Sequence, residues 1–515
     1  MSNFISNTLS KIPKDKDSVF KYVIFGLYLA LHFALCFFHE PWRDESQAYL
    51  IVRDLSIPDI YRQLTIEGHP FLWYLAMLIP VKLGLPVHFL SFVSFVLSAV
   101  GTWFFIFKAP FKTYVKALIL PGMLFTYSLP IIARDYCLVA LLLPIIGYLY
   151  DKRYQKPFLY GLLIFLLPQI HVIMAGFGIM LAVVSLMETL IYKDNRSKLT
   201  NYIPFICGLI GTLTLIMQLK AGSSLIDLNA GNLDEFLLGI LSDIPLMVKN
   251  LLKACMEAIK YFWEIFNGTL LKFGLFILLL GILMNLILIK HYWRELLIVL
   301  GGVGAHVFIH AYIWKYIPQR TICTVFIFLI YVWMIHSYKE PQFKHEKLVL
   351  LEKVFKKYLV ALIVFLSVVS YQLSFNSVKQ DFTGNYSGGE ETAEFILNEL
   401  PEDAIVVSAA KDYYITPVIA HYDYTLDKVW NPSTLDYEHT FVDWNDRGFY
   451  VDQFDAFIQL IKDNFSESDN IYILDAEGYP LLNPQWDRYE LVFSQMDDPC
   501  VWGETYAIYK FNWDY

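Results

Sequence analysis

HEPWRDESQAYLIVRDLSIPDIYRQLTIEGHPF, residues 39–71, separates the first long apolar run from the second and decides how the chain is read. Asp44 and Glu45 are adjacent, Glu67 and His69 follow, and Arg43, Arg53 and Arg62 punctuate the interval. Two short amphipathic helical turns are expected, around Gln47–Arg53 and Pro58–Leu64. An acidic pair at the end of an apolar run, then an acid and a His-Pro opening another, points to chemistry at a lipid boundary. The remaining elements are placed by asking which side of a membrane this stretch faces.

The apolar runs decide the class. The chain has 515 residues, 56% hydrophobic, 17% aromatic and only 17% charged. A soluble protein carries about a quarter charged residues. The apolar residues come in runs long enough to cross a hydrocarbon core. The expected fold is therefore a polytopic α-helical membrane protein, multi-pass and embedded in lipid. The net charge of −9 comes largely from the acidic tail and excludes a nucleic-acid-binding surface, which is basic. The first apolar run, about 20–38, lacks a small-residue cleavage site and reads as a retained span. The six cysteines form no CxxC pair and no metal spacing; Cys255 and Cys500 could meet if both are extracytoplasmic.

Further apolar runs lie near 69–84, 88–107, 116–132, 135–150, 157–169, 171–192, 201–219, 269–289, 295–313, 318–336 and 355–373. Basic connectors at Lys108/Lys112/Lys116, Lys152/Arg153/Lys156, Lys193/Arg196/Lys198, Lys290/His291/Arg294 and Lys339/Lys344/Lys347 belong on the cytoplasmic side. They all fall there only if 69–84 does not cross. Pro70, Pro80 and Lys82 suit that run to an interfacial helix. About eleven transmembrane helices follow, with the first external loop at 40–87 and an amphipathic external loop at 220–268. Residues 376–515 alternate helical and strand patterns and predict an extracytoplasmic α/β domain with a partly parallel sheet.

This register gathers Asp44, Glu45, Glu67, His69, Arg134, Asp135, His171, Lys315 and Arg320 at the outer boundary. Ionisable groups at membrane depth are costly and mark functional sites. Asp44 and Glu45 cannot share one helical face, so their roles differ. One carboxylate can take a proton from a hydroxyl; the other can orient a sugar or hold a divalent cation. Alternatively, the pair is a solvated helix start. Arg134, Arg320 and Lys315 could grip a phosphate or simply snorkel. His69 suits phosphate or hydroxyl contact, and His171 suits that or packing. His306 and His310, one turn apart, lack a third metal ligand nearby and read as structural.

These motifs carry a resemblance. RDESQAY (43–49), EGHPFLWYL (67–75), ARDYCL (133–138) and YIPQR (316–320) are together similar to the GT-C superfamily of integral-membrane glycosyltransferases. The branch they most resemble is family 39, with the protein O-mannosyltransferases and aminoarabinose transferases. The resemblance covers about residues 20–375. It implies a plasma-membrane enzyme that moves a sugar from a polyprenyl-phosphate donor to an extracytoplasmic acceptor hydroxyl with inversion. It also implies Asp44 as catalytic base beside Glu45, Arg134, Arg320, Lys315 and His69 near the donor phosphate, and Glu67, Tyr136 and His171 as substrate-site candidates. Here the chain has Phe71 and Thr321 where family members often have Pro and Tyr. The other function class compatible with the sequence is a non-catalytic binding or transport protein for lipid-linked glycans.

Overall fold

The computed structural model describes residues 15–67, 69–192, 197–220, 249, 269–308, 322–383, 386–409, 412–422, 428–432, 435–437, 454–476, 489–495 and 504–514. Lys315, Arg320, His310, Cys255, Cys500 and nearly all of the 220–268 loop lie outside them.

Helix α1 (Lys16–Leu35) starts at Asp15, whose carboxylate accepts from the Asp17 and Ser18 amides, as an N-cap should. The 39–71 stretch then forms α2 (Arg43–Asp54) and α3 (Ile57–Glu67), followed by α4 (Leu72–Lys82). The eleven residues of α4 extend about 16 Å, half of a ~30 Å hydrocarbon core. Lys82 Nζ at its end donates to the Arg53 and Leu55 carbonyls at 3.1 and 2.8 Å, tying α4 to the end of α2.

Next come α5 (Phe89–Lys108), α6 (Thr113–Ile119) and α7 (Met123–Thr126). Residues 116–132, expected as one helical span, are instead two short helices and irregular chain. Pro121 and Gly122 end the first helix, because proline offers no amide and clashes with the preceding turn. Irregular backbone at membrane depth survives only where protein satisfies it. Here Ser94 and Ser98 of α5 donate to the Leu129 carbonyl at 3.2 and 3.1 Å, and His32 Nε2 reaches the Thr126 carbonyl at 3.0 Å.

The bundle continues with α8 (Tyr136–Leu149), α9 (Pro157–Leu166), α10 (Val172–Ile191), α11 (Ile203–Lys220), α12 (Thr269–Phe308), α13 (Ile322–His336), α14 (Glu346–Val369) and α15 (Tyr371–Thr383). The runs 269–289 and 295–313 meet within α12 at Tyr292, where the backbone leaves helical geometry (φ −111°, ψ 21°), with no loop between them. Gly281 lies against Tyr358 of α14, whereas Gly301 and Gly176 meet Met180 and Ala305 across the α10–α12 contact. Both arms thus leave the same end of the bundle.

That end is where the basic connectors collect. Arg153 and Arg294 share Glu188 at 2.8 and 2.6 Å, Tyr150 and Tyr338 each donate to Glu295 at 2.6 Å, and Tyr292 donates to Glu352 at 2.6 Å. His39, Asp44, Arg134 and His171 lie at the opposite ends of the same helices. Among the described residues, five helices are long and apolar enough to cross a membrane: Lys16–Leu35, Phe89–Lys108, Val172–Ile191, Leu199–Gln218 and Glu346–Thr383.

The tail adds α16 (Gly389–Asn398), β1 (Ile405–Ser408), α17 (Asp412–Ile419), β2 (Val429–Asn431), β3 (Asp436–Tyr437), α18 (Phe454–Asn464), β4 (Ile471–Ala476), β5 (Glu490–Ser494) and β6 (Tyr506–Lys510). The sheet order is β3-β2-β1-β4-β6-β5, parallel across β2-β1-β4 and antiparallel at both edges. Alternation sorts its faces: Val406, Leu474 and Ile508 join the core that runs into the bundle, while Val407, Ile473 and Ala507 pack under α18. A sheet covered on both faces has continuously buried strands, as β4 does.

Candidate functional site

The two adjacent acids of α2 diverge because successive helical positions lie about 100° apart. Glu45 is wholly buried. Its carboxylate accepts from the Trp42 amide at 3.2 Å and from the Ala133 amide, and lies 3.1 Å from His39 Nε2. His39 Nδ1 is 3.3 Å from Asp381, to which Tyr127 also donates at 2.7 Å. Burial alone would lower the His39 pKa, but the charges of Glu45 and Asp381 outweigh it and raise it to about 10. The imidazolium is thus held between two carboxylates, and Glu45 anchors α2 to the connector before α8.

Asp44 faces the other way and forms an ion pair with Arg134 Nη1. Arg134 and Asp135 stand in the turn before α8, so the guanidinium and this carboxylate are fixed by separate elements. Burial opposes the charge on Arg134, yet Asp44 and Asp135 hold it protonated. Tyr136 stacks on His171, ring centroids 5.5 Å apart, and His69 meets the same ring at 5.8 Å. His171 Nε2 is 4.0 Å from Asp135 Oδ2. Its Nδ1 accepts from the Ile173 amide at 3.1 Å and caps α10, so the neutral ring carries its proton on Nε2.

Asp44, Arg134, Asp135, Tyr136, His69 and His171 therefore share one end of the bundle. Glu67 closes α3, with its side chain outside the described residues. A divalent ion shared by Asp44 and Glu45 does not suit this geometry: it would have to displace Arg134 from one and two amides from the other. His39, Tyr127 and Asp381 were not singled out from the sequence, although His39 opens the 39–71 stretch.

The tail grips α2 from its N-terminus to its end. Glu504 accepts from the Arg43 amide at 3.0 Å, Thr416 donates to the Arg43 carbonyl at 3.3 Å, and Arg53 donates to the Tyr422 carbonyl at 2.8 Å. The Arg43 guanidinium lies 5.2 Å from the Tyr414 ring, within cation–π range. The chain matches no family model and no curated protein, so the resemblance stands on its motifs.

Proposed function

We propose that this chain is a membrane glycosyltransferase that takes a sugar from a polyprenyl-phosphate donor to an acceptor hydroxyl. The observation that carries the reading is the Asp44–Arg134 pair, an acid and a cation presented by two elements at one polar end of an apolar bundle. In the proposed step the acceptor oxygen attacks the anomeric carbon, its proton passes to Asp44, and the carbon–phosphate oxygen bond breaks toward a polyprenyl-phosphate leaving group. Inversion follows from a single displacement. The leaving anion needs a cation rather than an acid, which is Arg134's role; Lys315 and Arg320 would add to it. His171 and His69, with Tyr136 stacked on the His171 ring, suit sugar hydroxyls.

The finer topology belongs to the same proposal: about eleven spans, the Arg153–Glu188–Arg294 end cytoplasmic by the positive-inside rule, and the site and tail outside a plasma membrane. A second reading is kept by the pairing itself. Asp44 already satisfied by Arg134 would also serve a non-catalytic protein that binds or moves lipid-linked glycans. Purified protein in liposomes with a radiolabelled polyprenyl-phosphate sugar separates the two. Transfer lost in Asp44→Asn with donor binding kept supports the enzyme; binding without transfer in the parent protein supports the carrier.

A further inference from the structure

A second polar cluster, apart from Asp44 and Arg134, joins the bundle to the tail. His88 immediately precedes α5, Glu390 lies in the first turn of α16, and His421 follows α17. One ligand atom from each lies within 4.8 Å of the other two. His88 Nε2 is 3.0 Å from Glu390 Oε1, and the His88 and His421 ring centroids are 5.1 Å apart.

The hydrogen-bond chemistry fixes which nitrogen is available. His88 Nδ1 is 3.3 Å from the His39 carbonyl oxygen, which can only accept, so Nδ1 carries a proton. In a neutral ring Nε2 is then a lone pair facing a carboxylate, and two acceptors repel. Something positive belongs between them: a second proton or a metal ion. An Nδ1–H bound to a backbone carbonyl is the arrangement that orients a metal-ligating histidine. His421 points to the same conclusion independently. Its Nε2 is buried with no hydrogen-bond partner among the described residues.

We propose that His88, Glu390 and His421 bind one divalent transition-metal ion, of the zinc type, that clasps the tail to the bundle. Two imidazoles and a carboxylate match zinc, whereas magnesium and calcium prefer oxygen throughout. A tetrahedral ion with bonds of about 2.0–2.1 Å sets its ligand atoms roughly 3.3 Å apart, so His88 and Glu390, at 3.0 Å, are near that spacing and His421 lies within reach of it. A cleft of about 520 Å³, lined by His39, Glu40, His88, Asp381 and Glu390, opens onto two of the three ligands and gives the ion a way in. The other histidine–carboxylate group, His69, Asp135 and His171, differs in the decisive detail: His171 accepts at Nδ1, which leaves Nε2 protonated and unable to ligate.

The test is titration of the full-length, chelator-washed protein in detergent with Zn²⁺ against a competing dye, and with Co²⁺ read by its visible tetrahedral absorption. One tight ion per chain is expected, with a raised melting temperature. His421→Ala and His88→Gln should each weaken binding by more than the ~10–100-fold that an outer-shell partner is worth. His69→Gln should leave it unchanged. Absence of stoichiometric binding by the parent protein overturns the proposal whatever the variants do. So does tight binding that survives His421→Ala, or that is lost in His69→Gln instead.

Discussion

Exchanging Glu45 for glutamine should strongly destabilise a fold that exchanging Asp44 for asparagine leaves intact. The side chains are isosteric, so the difference lies in acceptors. Glu45 Oε2 lies 3.2 Å from the Trp42 amide and 3.1 Å from His39, while Oε1 takes the Ala133 amide. Glutamine has one acceptor oxygen; in either orientation its NH₂ confronts a buried N–H. Leaving a buried donor unmade costs about 1–3 kcal/mol. Removing one partner of a buried ion pair costs about 3–5 kcal/mol, here reduced because Asp381 still faces His39. The two losses share His39 and do not add. A net loss of about 3–5 kcal/mol is a large part of a stability of about 5–15 kcal/mol. Asp44→Asn keeps an oxygen for Arg134, with Asp135 still beside the guanidinium. The assay is thermal unfolding and monodisperse yield in detergent, run beside sugar transfer. Expected are a large drop in melting temperature for Glu45→Gln alone, and a ~10²–10⁴-fold loss of transfer for Asp44→Asn. A Glu45→Gln protein as stable as its parent would refute the anchoring role.

Other outcomes follow from single contacts. Arg134→Ala should weaken donor binding as well as turnover, because the phosphate is charged before and during transfer; binding isotherms with a polyprenyl phosphate check it. Glu504 is pushed by burial to a pKa of about 8, so the folded chain keeps a proton that the unfolded chain releases near 4.5. Stability should therefore fall as pH rises between these values and level off above, and melting curves of Glu504→Gln should lack that slope. Gly101→Ala would drive its methyl into the Ala140 backbone and separate α5 from α8, costing about 1–3 kcal/mol or more; a melting temperature equal to the parent's would show that the helices do not approach there.

The parts of this fold legible in the sequence are those written in periodicity and charge. The helices of the 39–71 stretch, the short α4 and the alternating tail strands follow local patterns, and Arg153 and Arg294, from two of the basic connectors, meet at one end on Glu188. The 116–132 segment departs from the expected span because its prolines break the apolar run into short helices instead of kinking one. Its correction was also written, but on another helix: Ser91, Ser94, Ser98 and Thr102 recur at helical spacing on α5 and are buried. A polar stripe inside an apolar helix announces irregular backbone beside it. The α17 helix and the β2 and β3 strands, short and bounded by turn residues, gave no comparable pattern.

The division of labour within the acid pair was not legible for a different reason. Adjacency shows that Asp44 and Glu45 must differ, yet which one is buried depends on partners 88 residues away at Ala133 and, through His39, at Asp381. The same holds for the start of α2. The first amides of a helix lack partners within it and take them from a local cap where one exists. Here the Arg43 amide is satisfied by Glu504, 461 residues later. The helix that carries Asp44 is therefore completed only when the tail has docked. The tail in turn buries one face of its sheet in the core it shares with the bundle. Each half supplies what the other lacks, so the candidate site and the α/β tail are built as one packed unit rather than as a bundle with an appendage.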